Sequence, residues 1–137
     1  MNHISGPLLD RIDLFSELYR VEKRALMESV QGTNLHLSNC LREQVEVCWE
    51  RQYLRCDEAG QTRILNGMNR TLQMMEFFRI PQIAADFAVQ SAEKLKITAH
   101  GLNRMLRVAR TIADLEGEAD VSVSHVAEAI QFQQKQS

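Results

Sequence analysis

Glycine-rich phosphate loops, a nucleophile elbow and paired carboxylates on one scaffold are all missing from this chain, which argues against an autonomous enzyme. It also lacks any run of eighteen apolar residues, so no segment reads as a membrane span. The amino terminus, MNHISGPLLDRIDL, has neither the basic start nor the small-residue cleavage site of a signal peptide. Cysteine is scarce and odd in number. Cys40, Cys48 and Cys56, eight residues apart, fit neither a disulfide framework nor the short knuckle of a zinc site. The expectation is a reduced, cytoplasmic chain with no metal site and no membrane partner. Proline and glycine are few, at 2 and 6, beside 45% hydrophobic and 25% charged residues, a balance of folded rather than disordered proteins. A net charge of −2 and a pI near 6.1 give no electrostatic footprint for wrapping a polyphosphate, which disfavours nucleic-acid binding by this piece alone. At 137 residues the chain is one ordinary domain, long enough to bury a core.

What is present is helical periodicity, preceded by an irregular first quarter with its boundary near Gly32. Pro7 can open a turn of helix through Leu9 and Arg11, while Ile12 and Leu14, with Leu18 beyond them, fit a short extended segment. From Ser38, Leu41, Val45, Cys48, Trp49 and Gln52 or Tyr53 recur at steps of three and four, which predicts a long amphipathic helix capped by Ser38 or Asn39. RCDEAGQTRILNG reads as a connector. A short helix follows, with Leu72, Met75 and Phe78 on its apolar side. Pro81 then opens another whose inward face is Ile83, Ala84, Phe87, Ala88, Ser91 and Leu95. Thr98 can cap the clearest helix, which carries Leu102, Met105, Leu106, Ala109, Ile112, Ala113 and Leu115 toward the core until Gly117 stops it. After EGEAD, Ser122 or Ser124 caps a last helix built on Val126, Ala129, Ile130 and Phe132 or Gln133. The expected fold is an all-α helical bundle of about five helices with antiparallel neighbours.

Few residues stand out as chemistry. The pairs Met74–Met75 and Phe77–Phe78 suit core packing better than a partner groove. His3, His36, His100 and His125 are scattered; only His125 has an acid at helical spacing, Glu128, and that pair reads as a solvated face. The cysteines read as inert small hydrophobes. Arginine remains. Arg104, Arg107 and Arg110 step by three along the clearest helix, and Arg11 follows Leu8, Leu9 and Asp10 at the other end of the chain. On spacing alone, the helical trio is a wet, salt-bridged face.

Two blocks carry a resemblance. ISGPLLDRIDL (Ile4 to Leu14) and LNRMLRVARTIADLEGEADVSVSHVAEAIQF (Leu102 to Phe132) resemble the magnesium-chelatase-like AAA+ ATPases of the competence-associated ComM type, with GTNLHLSNCLREQVEVCWERQ and ILNGMN colinear between them. The resemblance implies that residues 1–31 are the tail end of an AAA+ core and 32–137 its carboxy-terminal helical lid. It implies a homo-oligomeric, hexameric ring in the family's manner, with ATP and magnesium held by the whole assembly rather than by this chain alone, and with DNA as the material processed. By position in the motifs, Arg11 matches the arginine finger that reaches the γ-phosphate on the neighbouring subunit, with Asp10 as its acidic support. Arg107 matches the sensor-2 arginine that touches the subunit's own nucleotide, while Arg104 and Arg110 flank it and can pair with acids such as Asp114.

The chain departs from the family at two places. Thr98, Ala99, His100 and Gly101 stand where members usually have serine, alanine, arginine and alanine, so an arginine is replaced by a part-time cation. SELYRVEKRALM, where the family prefers an alternating strand, reads as more helical than extended. The competing function is a stand-alone helical protein-interaction module derived from such a lid. A helix-turn-helix DNA reader is disfavoured, because its one candidate recognition helix, Arg104 to Arg110, also supplies the apolar core.

Overall fold

The computed structural model describes residues 6–9, 11–20, 22–24, 27 and 34–133. Asp10, His3, the side chain of His36 and the boundary at Gly32 lie outside the described residues. The elements are α1 (Gly6–Leu9), α2 (Asn34–Glu58), a 3-10 turn (Asn66–Met68), α3 (Met74–Phe77), α4 (Gln82–Lys94), α5 (Ala99–Glu116) and α6 (Val123–Ile130). No strand occurs among the described residues, and the fold is an all-α bundle with an irregular amino-terminal segment. The stretch 12–18 forms neither helix nor strand there, and of the residues after Phe15, 16–20 are non-helical while 23, 24 and 27 are helical.

Helix α5 is the hub, packing against α2, α4, α6 and the 3-10 turn. Its ends follow from local chemistry. The Thr98 hydroxyl accepts the Gly101 N–H at 3.0 Å, and Gly117 adopts φ 80° so that the Glu118 N–H can return to the Ala113 carbonyl at 2.9 Å. A side chain at Gly117 would also meet the Arg51 guanidinium at 3.1 Å. Between these ends Met105, Leu106, Ala109 and Ala113 join Phe78, Val121, Val126 and Ala129 in the core. Leu115, expected inward, is half-exposed, because at 3.6 residues per turn it lies off the stripe that Met105, Ala109 and Ala113 share.

Helix α4 meets the bundle through Ala84, Ala85, Ala88 and Ala92, with Pro81 as its N-cap. Ile83 is 72% exposed and Leu95 49%, so the inward face is rotated one position from the expected one. Small residues let the helix axes approach closely, and the larger aliphatics are left outside. Leu72 is likewise fully exposed and precedes α3, which buries Phe77 and Phe78 in an edge-on pair with ring centres 5.1 Å apart.

Helix α2 starts earlier and ends later than its periodicity suggests, and its buried stripe is Cys48, Gln52 and Cys56 rather than Leu41, Val45 and Trp49. Arg55, assigned to the connector by its sequence, lies on the helix, where it donates to the carboxylate of Asp114 and, at 3.1 Å, to Asn66 Oδ1. Gly60, at φ 65°, then closes the helix with Gln61 N–H returning to Cys56. Buried Asp114 collects this whole corner. Beside Arg55 it accepts Arg110 Nη2 at 3.0 Å and Asn66 Nδ2 at 2.9 Å, and Asn66 N–H donates to Gln52 at 2.8 Å. Removing one member of such a network strands the others without water. Asp114→Ala is expected to destabilise the fold by about 3–5 kcal/mol in denaturant titration, whereas an exposed control such as Glu93→Ala stays within about 0.5 kcal/mol.

Candidate functional site

The three arginines of α5 meet three different surroundings. None lies on a wet face: Arg104 and Arg107 are each 9% exposed and Arg110 is fully buried, which corrects the reading from spacing. Arg110 is a structural cross-link. Its Nη1 donates to the carbonyls of Phe78 and Ala119, both at 2.9 Å, and its Nη2 to that of Glu118 at 2.7 Å, so it ties the end of α3 to the loop after α5. Burial lowers its pKa, and Asp114 opposes that effect. The pairing with Asp114 expected of Arg104 and Arg110 is realised at Arg110.

Arg107 is anchored differently. Its Nε donates to the Asn69 carbonyl at 3.0 Å, just beyond the 3-10 turn, while its terminal amino groups make no hydrogen bond among the described residues and keep contact with solvent. Burial lowers its pKa, neighbouring Arg70 adds to the lowering, and Asp13 opposes both. Arg70 is itself exposed and donates to the Gly67 carbonyl at 2.8 Å. A guanidinium fixed at Nε, with its fork unspent and a second guanidinium nearby, suits a phosphate oxygen. The residues present therefore fit one edge of a nucleotide's phosphate chain. For a metal ion, no group of three or more His, Cys, Asp or Glu side chains converges among the described residues.

Arg11 lies in the turn after α1, exposed, with its guanidinium unpaired among the described residues. Its own stretch of chain is strapped to the bundle. Arg104 Nη1 reaches the Leu9 carbonyl in a long contact of 3.5 Å, and Phe15 N–H donates to Phe132 at 2.7 Å. The structure thus brings the Arg11 segment onto the same bundle as Arg107. Asn69, Arg70 and Asp13 were not singled out in the sequence; the one hint was the colinear ILNGMN segment, which ends on Asn69. His100 is exposed near the start of α5.

His125 corrects another reading. It is 3% exposed and faces Glu116, not Glu128: Nε2 lies 2.7 Å from the Glu116 carboxylate, and Nδ1 accepts the Ser122 N–H at 2.9 Å in a reciprocal cap of α6. Losing the Ser122 half of that cap has a local cost. Ser122→Ala should destabilise the domain by about 1 kcal/mol, read from its denaturation midpoint.

The bundle's longest helix pair is thus pinned through one buried aspartate, with Arg107 held beside the 3-10 turn. The family profile for the magnesium chelatase ChlI subunit carboxy-terminal domain matches residues 36–133, and this chain belongs to that family. It is similar to the corresponding region of ComM-type proteins. Competence protein ComM of Haemophilus influenzae is 30% identical over 132 residues, which cover 96% of this chain and 24% of that protein. The YifB proteins of Salmonella typhimurium and Escherichia coli are 28% and 26% identical over the same proportions. The chain thus spans about a quarter of the length of the curated relatives it matches. No helix among the described residues is long and apolar enough to cross a membrane.

Proposed function

We propose that this chain is the helical lid of a ComM-type AAA+ ATPase, residues 32–137, preceded in 1–31 by the trailing edge of the nucleotide-binding core. In this reading Arg107 acts on the nucleotide of its own subunit, and Arg11, supported by Asp10, on that of the neighbouring subunit in a homo-oligomeric, hexameric ring. ATP and magnesium, bound by the whole assembly, supply the phosphoryl group and the cation that screens its charge. In this reading the ring processes DNA in the cytoplasm, as the resemblance to ComM-type ATPases implies.

The single observation that carries the reading is the contrast within α5: Arg110 has spent both terminal amino groups on three carbonyls, while Arg107 is held at Nε alone. An arginine fixed in this way offers two donors without first breaking an internal bond, so little reorganisation opposes contact with an anion. Arg11 suits the complementary task, because an exposed and unpaired guanidinium can reach a neighbouring subunit. A lid that gains such contacts only with the γ-phosphate present would close with ATP and relax on its loss, the general logic of order–disorder switches.

The isolated chain should show no ATP turnover, and calorimetry should find at most very weak ATP binding; submicromolar affinity would mean that the site assignment is wrong. In a polypeptide that includes the core, Arg11→Ala should cut turnover by about 10³-fold or more while sparing ATP binding. Arg107→Ala should weaken both. If neither change altered turnover, the proposed roles would fail.

A further inference from the structure

The carbonyls of Gly67 and Asn69 each hold a guanidinium. Arg70 Nη1 donates to Gly67 at 2.8 Å, and Arg107 Nε donates to Asn69 at 3.0 Å. The two anchor points lie two residues apart, so the chain between them spans roughly 7 Å at most. Each arginine has committed one nitrogen, and neither makes an ion pair among the described residues. Asp13, whose Oδ2 stands 3.9 Å from where a β-carbon on Gly67 would be, pairs with neither. The residue that joins the two arginines also carries a donor of its own. Asn69 is 4% exposed, and its Oδ1 accepts the Thr71 N–H at 2.9 Å, which orients the amide so that Nδ2 faces away from Thr71. That Nδ2 is buried with no hydrogen-bond partner among the described residues. A buried donor without an acceptor is costly to keep, and this one stands in the residue that fixes Arg107.

We propose that Arg70 is a second phosphate-contacting residue beside Arg107, and that the Asn69 side-chain amide is the neutral donor completing the site, whose ligand is the polyphosphate chain of a nucleotide. The inference deepens the reading of Arg107 given above and rests on it. A polyphosphate spreads its oxygens and its charge along a chain, so it can meet two guanidinium groups without either leaving its carbonyl; a single phosphate group needs only one of them. Because one nitrogen of each arginine is already tethered, less side-chain freedom is lost on binding. Arg70 is exposed, so its share is a shift of affinity rather than the whole of it. Arg110, its donors spent on carbonyls, has no such part.

The test titrates the isotope-labelled chain with inorganic tripolyphosphate and follows, by NMR, the Asn69 side-chain amide and the Nε–H groups of Arg70 and Arg107. All three signals should move along one saturation curve in the millimolar range. Arg70→Ala, a change at an exposed side chain that leaves the fold intact, should weaken the affinity about two- to fivefold. Arg70→Lys keeps the charge but loses the fork, and should fall between. Asn69→Asp keeps the acceptor for the Thr71 N–H but turns the free donor into an anion, and should weaken binding by about tenfold or more. Orthophosphate should bind more weakly and be indifferent to Arg70→Ala. A control, Arg42→Ala on the exposed side of α2, should change nothing. An equal loss in that control would mean general attraction of charge, and overturns the inference. So do an Asn69 amide that stays still at saturation, no movement of any signal, and tighter binding of a single-stranded DNA oligonucleotide at the same three signals. If Arg70→Ala leaves the affinity unchanged while Arg107→Ala abolishes it, the inference falls and Arg107 keeps its place. Unchanged affinity in Arg107→Ala is a different result, and sinks the reading of Arg107 itself.

Discussion

The bundle depends on one buried carboxylate. Asp114 is 1% exposed and stands where α2, the 3-10 turn and α5 meet, and it holds them through Arg55, Asn66 and Arg110. Its own backbone carbonyl also receives Arg51. An anion without water must be matched by donors, and here the donors come from elements that would otherwise share little apolar surface. Cys48 and Cys56, with the polar Gln52 between them, are a modest buried seam for a helix of 25 residues. The polar corner supplies the geometry that the seam leaves open, fixing the height at which α2 crosses α5.

From that corner the rest of the bundle is set. Arg110, one turn before Asp114, is drawn inward and committed to the carbonyls of Phe78, Glu118 and Ala119. Asn66, held by Gln52 and Asp114, fixes the 3-10 turn, and the turn sets Asn69 within reach of Arg107. Three arginines of equal spacing thus have unequal duties, decided by neighbours far away in sequence. A single helix face carries a structural tie, a poised donor and, in Arg104, a loose contact to the strap.

The helix ends were legible because they are local. Thr98, Gly117 and Ser122 each act on a backbone group within a few residues, and each does what its side chain, or lack of one, requires. Faces were less legible. Ile83 and Leu95 look like core residues in α4, but the alanines between them allow the closer approach, and depth of contact decides burial. Long-range pairings left least trace: nothing near His125 points to Glu116 across the Gly117 turn, and nothing in the Arg104–Arg110 spacing separates the tied arginine from the poised one. For the candidate site, the resemblance named Arg11 and Arg107, and physical reading of the sequence alone did not; Asp13, Asn69 and Arg70 needed coordinates.

Helix α2 has one further property. Cys48 is the first of its described side chains to be buried, while Leu37, Leu41 and Val45 toward the other end are exposed at 60%, 52% and 41%. From Asn34 to Arg51 the helix measures about 25 Å at 1.5 Å per residue. Over that length a tilt of roughly ten degrees at the Asp114 corner corresponds to about 4 Å at the far end, given that helical rise. The angle set around one buried carboxylate therefore also decides where Leu37, Leu41 and Val45 stand, up to about five turns along the same helix.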